Sequence, residues 1–255
     1  MKFLSAVHSD VGIRKSTNQD GLCLKIAQTP SDDVLLAVIC DGMGGLEKGE
    51  LASATIIRAM SEWFENNLPD ILKKSYNFDA VKKEWETIIS TQNDLLYQYG
   101  ENHRLQLGTT LTALLIVDKT YIIVHVGDSR VYKITDVITI LTEDQTVVSR
   151  DLKLGLITPE EAEKDPRQNV LLQCIGASKT VVPEYVTGAV AKNNEFMLCS
   201  DGFRHMISSS EMLGVMSPNL MSNEAVMKKT LVDLTELNKS RQERDNISAI
   251  LIKAV

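Results

Sequence analysis

Apolar and polar positions along the chain fall into three textures. Residues 3–8 and 22–27 alternate with a period of two and predict strands, joined by a polar loop over 9–20. The run Val34-Leu35-Leu36-Ala37-Val38-Ile39-Cys40 is apolar throughout, which predicts a buried strand. Helical spacing follows. Ala52, Ile56, Ala59 and Trp63 share one face of a helix that Pro69 is expected to close. Val81, Trp85, Ile88, Leu95 and Tyr99 share a face of a second, with Gly100 as its stop. Both aromatic stripes read as core packing.

From Gly108 the period returns to two. Strands are predicted at 110–117 and 121–126 around an Asp118-Lys119-Thr120 turn, and at 131–134 and 137–141 around Thr135-Asp136. Residues 143–176 are polar and partly helical, with Thr158-Pro159-Glu160-Glu161 as a helix start, and read as an excursion over the body. Strands resume at 182–190 and 195–200. Two helices follow, the longer carrying Met227, Leu231 and Leu234, and a last strand covers 247–252. Many hairpin-linked strands with helices in two pairs predict an α+β fold, a four-layer αββα sandwich of two antiparallel sheets packed face to face. Without a linker, repeat or low-complexity tract, residues 1–255 read as one domain.

Composition narrows the function classes. With 44% hydrophobic and 24% charged residues the chain is an ordinary globular one. A net charge of −7 argues against a nucleic-acid surface or a polybasic membrane anchor. The apolar part of the N-terminus is too short for a signal peptide, and no stretch approaches the ~18 apolar residues of a membrane span. Cys23, Cys40, Cys174 and Cys199 lie far apart without zinc spacing, and Cys40 and Cys199, inside apolar runs, read as buried reduced thiols of a cytoplasmic protein.

The chemistry concentrates in acids at strand ends. Val38-Ile39-Cys40-Asp41-Gly42-Met43-Gly44-Gly45 is an apolar run ending on an acid and a glycine turn. Phe196-Met197-Leu198-Cys199-Ser200-Asp201-Gly202 repeats the pattern, and Ile122-Ile123-Val124-His125-Val126-Gly127-Asp128 is close to it. With Asp20, and Asp245 of Arg244-Asp245-Asn246, five carboxylates stand beside glycines or at strand ends. Held together they would repel unless a cation sat among them. Oxygen-only ligation favours Mg²⁺ or Mn²⁺ over zinc. Two such ions about 3.5–4 Å apart suit phosphoester hydrolysis. Taken singly, each acid is more often a solvated turn residue than a ligand.

Seven short stretches occur in one order: 12–20 ending in Asn18-Gln19-Asp20, Asp41-Gly42-Met43-Gly44-Gly45, Gly108-Thr109-Thr110, Val126-Gly127-Asp128-Ser129-Arg130, Leu141-Thr142-Glu143-Asp144, Ser200-Asp201-Gly202 and Arg244-Asp245-Asn246. In that order they resemble the bacterial metal-dependent serine/threonine protein phosphatases of type 2C, over nearly the whole chain. The resemblance implies the same sandwich and hydrolysis of phosphoserine and phosphothreonine on proteins, opposing a kinase. It implies a binuclear Mn²⁺ or Mg²⁺ centre with a third metal site. Asp41 would bridge two metals, the Gly42 carbonyl would serve the second, and Asp201 and Asp245 would complete the first. Asp20 would hold a water of the metal shell and help deprotonate the nucleophile. Asp128, with Asp201, resembles the third site, and 143–176 matches the flap.

Two departures from the family pattern stand out. Met43 occupies a position where many eukaryotic members carry histidine, leaving no side-chain general acid. His8, His103, His125 and His205 fall outside the motifs, and His125 reads as a packed core residue. The family's phosphate-binding arginine falls, by gap-free spacing, on Lys15, with Arg14 one residue early. A guanidinium grips two phosphate oxygens where an ammonium is a point charge. Arg14 is therefore the expected ligand, through a small bulge at Ser16-Thr17, and Lys15 the alternative. The readings set against a protein phosphatase are an inactive binding module, disfavoured because all five aspartates are kept, and a small-molecule phosphoesterase. The partners expected are phosphorylated proteins and a cognate kinase, with the enzyme a monomer.

Overall fold

In the computed structural model, which describes residues 1–29, 32–43, 48–74 and 76–255, every strand pair is antiparallel. The chain opens with β1 (Phe3–Asp10), β2 (Gly21–Gln28) and β3 (Asp33–Cys40), then α1 (Gly49–Asn66), α2 (Leu68–Lys74) and α3 (Phe78–His103). Two hairpins follow, β4 (Leu111–Val117) with β5 (Thr120–Val126) and β6 (Arg130–Ile134) with β7 (Ile138–Ile140). After α4 (Val147–Lys153) and α5 (Pro159–Ala162) come β8 (Glu184–Ala189) and β9 (Glu195–Cys199). The chain ends with α6 (Asp201–Arg204), α7 (Ser209–Met216), α8 (Glu224–Ser240) and β10 (Ile247–Ala254). One sheet has the order β1-β10-β9-β6-β7 and the other β2-β3-β4-β5-β8.

Each central strand is apolar on both faces because both are covered. On β3, Leu36, Val38 and Cys40 pack with Ile56, Met60 and Trp63 of α1 and Val81 and Trp85 of α3. The alternate residues Leu35, Ala37 and Ile39 meet Phe196, Leu198, Ile250 and Ile252 of the facing sheet. The outer face of that second sheet, through Met197, Ala249 and Leu251, packs on Met212 of α7 and Met227 and Leu231 of α8. The layers are therefore helices, sheet, sheet, helices, as the patterning predicts. Burying a large apolar side chain in such layers contributes about 1.5–3 kcal/mol. Trp63 and Trp85 meet edge to face at 5.3 Å, so the aromatic stripes are core packing.

Two stop signals differ from expectation. The first helix ends at Asn66, and Pro69 is the second residue of α2, where a missing N–H leaves no intrahelical bond unmade. Gly100 lies inside α3, which continues to His103 and ends on Arg104 at a left-handed φ of 56°. A Cβ at Gly100 would stand 2.8 Å from the Leu105 carbonyl oxygen, so this glycine admits the returning chain and does not end the helix.

The excursion at 143–176 closes on itself. Thr146 bridges to Leu171, and Leu172 N–H donates to the Gln145 carbonyl at 2.8 Å. It rejoins the body where Ile175 bridges Thr109, just before β4. Its short helix α5 starts on a Thr158–Glu161 capping box with proline in the first turn.

Candidate active site

Strand register brings the five aspartates to one end of the sandwich. Gly21 pairs with Cys40, which puts Asp20 and Asp41 side by side beyond that pair. Leu111 pairs with Val126, so Thr110 and Asp128 leave at the same end. In the other sheet Cys199 is opposite both Ala249 and Arg130, which sets Asp201, Asp245 and Asp128 just beyond the ends of three neighbouring strands.

Hydrogen bonds then fix the backbone there. Asp41 N–H donates to Thr110 Oγ1 at 2.8 Å, while Thr110 N–H and the Thr109 hydroxyl donate to the Asp41 carbonyl at 2.9 and 3.0 Å. The Gly108-Thr109-Thr110 stretch is thus a clamp on Asp41. Asn246 binds the first loop: its Oδ1 accepts from Gln19 N–H at 2.9 Å, and its Nδ2 donates to the carbonyls of Val11 and Thr17 at 2.9 and 3.2 Å. A Cβ at Gly42 would stand 2.6 Å from the carbonyl oxygens of both Gln19 and Gly49, so only glycine fits this cradle. Gly44 and Gly45 of the same motif lie outside the described residues.

Asp41, Asp128, Asp201 and Asp245 line a cavity of about 450 Å³, closed on one side by residues 169–174 of the excursion. Asp20 sits beside the cavity lining, where Ser200 Oγ donates to its Oδ2 at 3.0 Å. Burial pushes the Asp20 carboxyl up to about 7, against the Ser248 and Ser200 hydroxyls and with repulsion from Asp201 and Asp245. Burial and then the charges of Asp20, Asp201, Asp128 and Asp245 raise Asp41 well above the carboxylate range. Asp128 is pushed up to about 7, by burial first and then by Asp201. Asp20 Oδ1 and Asp201 Oδ1 are buried without a hydrogen-bond partner. Buried acids that repel one another, with oxygens unpartnered, fit a divalent cation and fit little else. Among the described residues, no three His, Cys, Asp or Glu side chains form a ready-made cage.

The two cations of the first loop part company. Lys15 lines the cavity, its Nζ 2.9 Å from Asp245 Oδ1, whereas Arg14 is exposed and absent from the lining. Lys15, the residue that gap-free spacing selects, is thus the one of the two that borders the cavity. His125 is fully buried, with Nδ1 2.8 Å from Thr112 Oγ1 and Nε2 3.0 Å from the Glu143 carbonyl. Burial lowers its pKa to about 4, as befits a neutral core histidine. Sequence reasoning missed His205 and Glu243. His205 stands between Asp201 and Glu243, at 3.4 and 3.3 Å. Burial opposes its charge, but Glu243 and Asp201 outweigh that and raise its pKa.

Residues 12–251 match the family model described as Protein phosphatase 2C. The chain belongs to the protein phosphatase 2C family. It is accordingly a serine/threonine phosphatase of that type, a hydrolase. Protein phosphatase PhpP of Streptococcus pneumoniae is 30% identical over 215 residues, 83% of each chain. The S. agalactiae serine/threonine phosphatase structure superposes with a TM-score of 0.85 at 28% identity, over 100% of both chains. The catalytic domain of the serine/threonine protein phosphatase PstP, solved in complex with two manganese ions, gives a TM-score of 0.77 at 25% identity over 98% of this chain and 97% of that one. Among the described residues of this phosphatase, no helix is long and apolar enough to cross a membrane.

Proposed function

We propose that this phosphatase hydrolyses phosphoserine and phosphothreonine monoesters on proteins, in opposition to a serine/threonine kinase, with Mn²⁺ or Mg²⁺ held by its aspartates. The observation that carries the reading is the convergence of five acids from five separate stretches at one end of the sandwich, four of them lining one cavity, where they repel one another. Asp41, the Gly42 carbonyl, Asp201 and Asp245 would hold two ions, and Asp128 with Asp201 a third. The PstP catalytic domain, solved with two manganese ions, supports the first two. Such cations, when bound, lower the pKa of water and neutralise phosphoryl charge.

The chain's own residues supply the rest. Lys15 Nζ, on the cavity wall, takes a phosphate oxygen of the substrate. Asp20 Oδ1 would accept a proton, a role its lack of a hydrogen-bond partner supports. The wall at 169–174 limits water and leaves Val170 and Leu172 half-exposed for the peptide beside the phosphoresidue.

The test is hydrolysis of a phosphothreonine peptide after chelation. Activity should vanish and return with Mn²⁺. Full activity in excess chelator, or rescue by zinc alone, would overturn the reading.

A further inference from the structure

We propose that Glu243 and His205 form a positioning bridge that holds Asp201 and Asp245 in place on the cavity and thereby sets the chain's affinity for divalent cations. The inference rests on the cation-site reading given above. Glu243 is buried, 4% exposed, and lies two residues before Asp245. Its Oε1 accepts the backbone N–H groups of Arg244 at 2.6 Å and of Asp245 at 2.8 Å, which fixes the chain that carries Asp245. Its Oε2 faces His205 Nδ1 at 3.3 Å. On the opposite edge of the ring, Nε2 faces Asp201 Oδ2 at 3.4 Å.

One imidazole therefore reaches two carboxylates that would repel each other if brought together directly. The frame behind the bridge is rigid. Asn238, fully buried on α8, donates from Nδ2 to the Phe203 carbonyl on α6 at 2.8 Å, and its own carbonyl accepts Glu243 N–H at 3.0 Å. The backbone N–H of His205 donates to the backbone carbonyl of Asp201 at 3.1 Å, closing the helical turn that carries both residues. Outer partners that orient carboxylate and histidine groups around a metal typically change its affinity 10–100-fold when removed.

The test uses the full chain freed of metal, with Mn²⁺ titrated by calorimetry and turnover of a phosphothreonine peptide measured at saturating Mn²⁺. His205→Ala should weaken Mn²⁺ binding roughly 10–100-fold and lower kcat, with peptide KM unchanged. His205→Gln, which keeps one N–H within reach of Asp201, should recover part of the affinity. Glu243→Gln combined with His205→Ala should lose no more than the worse single variant, because both remove one bridge. Wild-type Mn²⁺ affinity in His205→Ala would overturn the proposal, as would additive losses in the pair. A fall in the metal-free melting temperature with Mn²⁺ affinity unchanged would make the pair a structural brace and also overturn it. Asp201→Asn, titrated alongside, separates the two readings: if it binds Mn²⁺ like wild type, the cation site itself is misplaced.

Discussion

Asp41 has features that a solvated turn residue lacks. It follows a fully buried strand, its backbone is clamped by Thr109 and Thr110, and its carboxyl faces three other acids across the cavity. Asp41→Asn should lower kcat by at least about 100-fold, since it removes charge where phosphoryl charge must be neutralised. The metal-free melting temperature should hold or rise, because one of several repelling acids is gone. Loss of activity only through unfolding would make Asp41 structural. At Lys15 the prediction is kinetic: Lys15→Ala should raise KM for phosphopeptide about 10-fold and weaken inhibition by inorganic phosphate, and Arg14→Ala should change neither. The reverse pattern would restore Arg14. The five aspartates were legible in the sequence because each follows an apolar run or stands in a short motif. His205 and Glu243 were not, since a single histidine just past a four-residue helix has no period and its partner is 38 positions away in sequence, brought near by α8.

At the scale of elements, the central strands were legible because burial on both faces leaves unbroken apolar runs, and the end at which the acids gather follows from antiparallel pairing. The short helix α2 and the continuation of α3 past Gly100 were hidden, because proline and glycine there serve local fit and not termination. The excursion at 143–176 is tied to the body by charge. Arg130 binds Asp144 through Nε and Nη2, both at 2.7 Å, and Arg204 Nη2 adds a contact at 3.1 Å while also donating to the Asp128 carbonyl at 3.0 Å. Burial works to raise the Asp144 carboxyl, but the two arginines outweigh it and hold it below its usual range. Asp144→Ala would leave two largely buried guanidiniums unpaired. It should cost about 3 kcal/mol and lower the melting temperature by roughly 5–10 °C. An unchanged melting curve would show the excursion to be held by its apolar contacts alone.

For the molecule as a whole, the central strands β3, β4, β9 and β10 are buried along their whole length, so a charge on one of them is conspicuous. Glu195 is such a case, at the end of β9 remote from Asp201. It is fully buried, neither carboxylate oxygen has a hydrogen-bond partner, and its cross-strand neighbours are Ile134 and Lys253. Lys253 turns its ammonium to the carbonyls of Pro218 and Met221, at 2.6 and 2.9 Å. Burial pushes the Glu195 carboxyl from an ordinary 4.5 up to about 8, with only partial relief from the Lys253 charge. The folded state thus keeps a proton that the unfolded chain releases. Stability from this group is intact below about pH 4.5 and is lost as pH rises toward 8. Glu195→Gln removes the titration while keeping shape. The melting temperature of the variant relative to wild type should therefore climb steadily over that range, while peptide turnover at neutral pH stays the same because the site lies at the other end of the sheet. A difference constant with pH would mean that Glu195 is ionised in the fold and that Lys253 neutralises it.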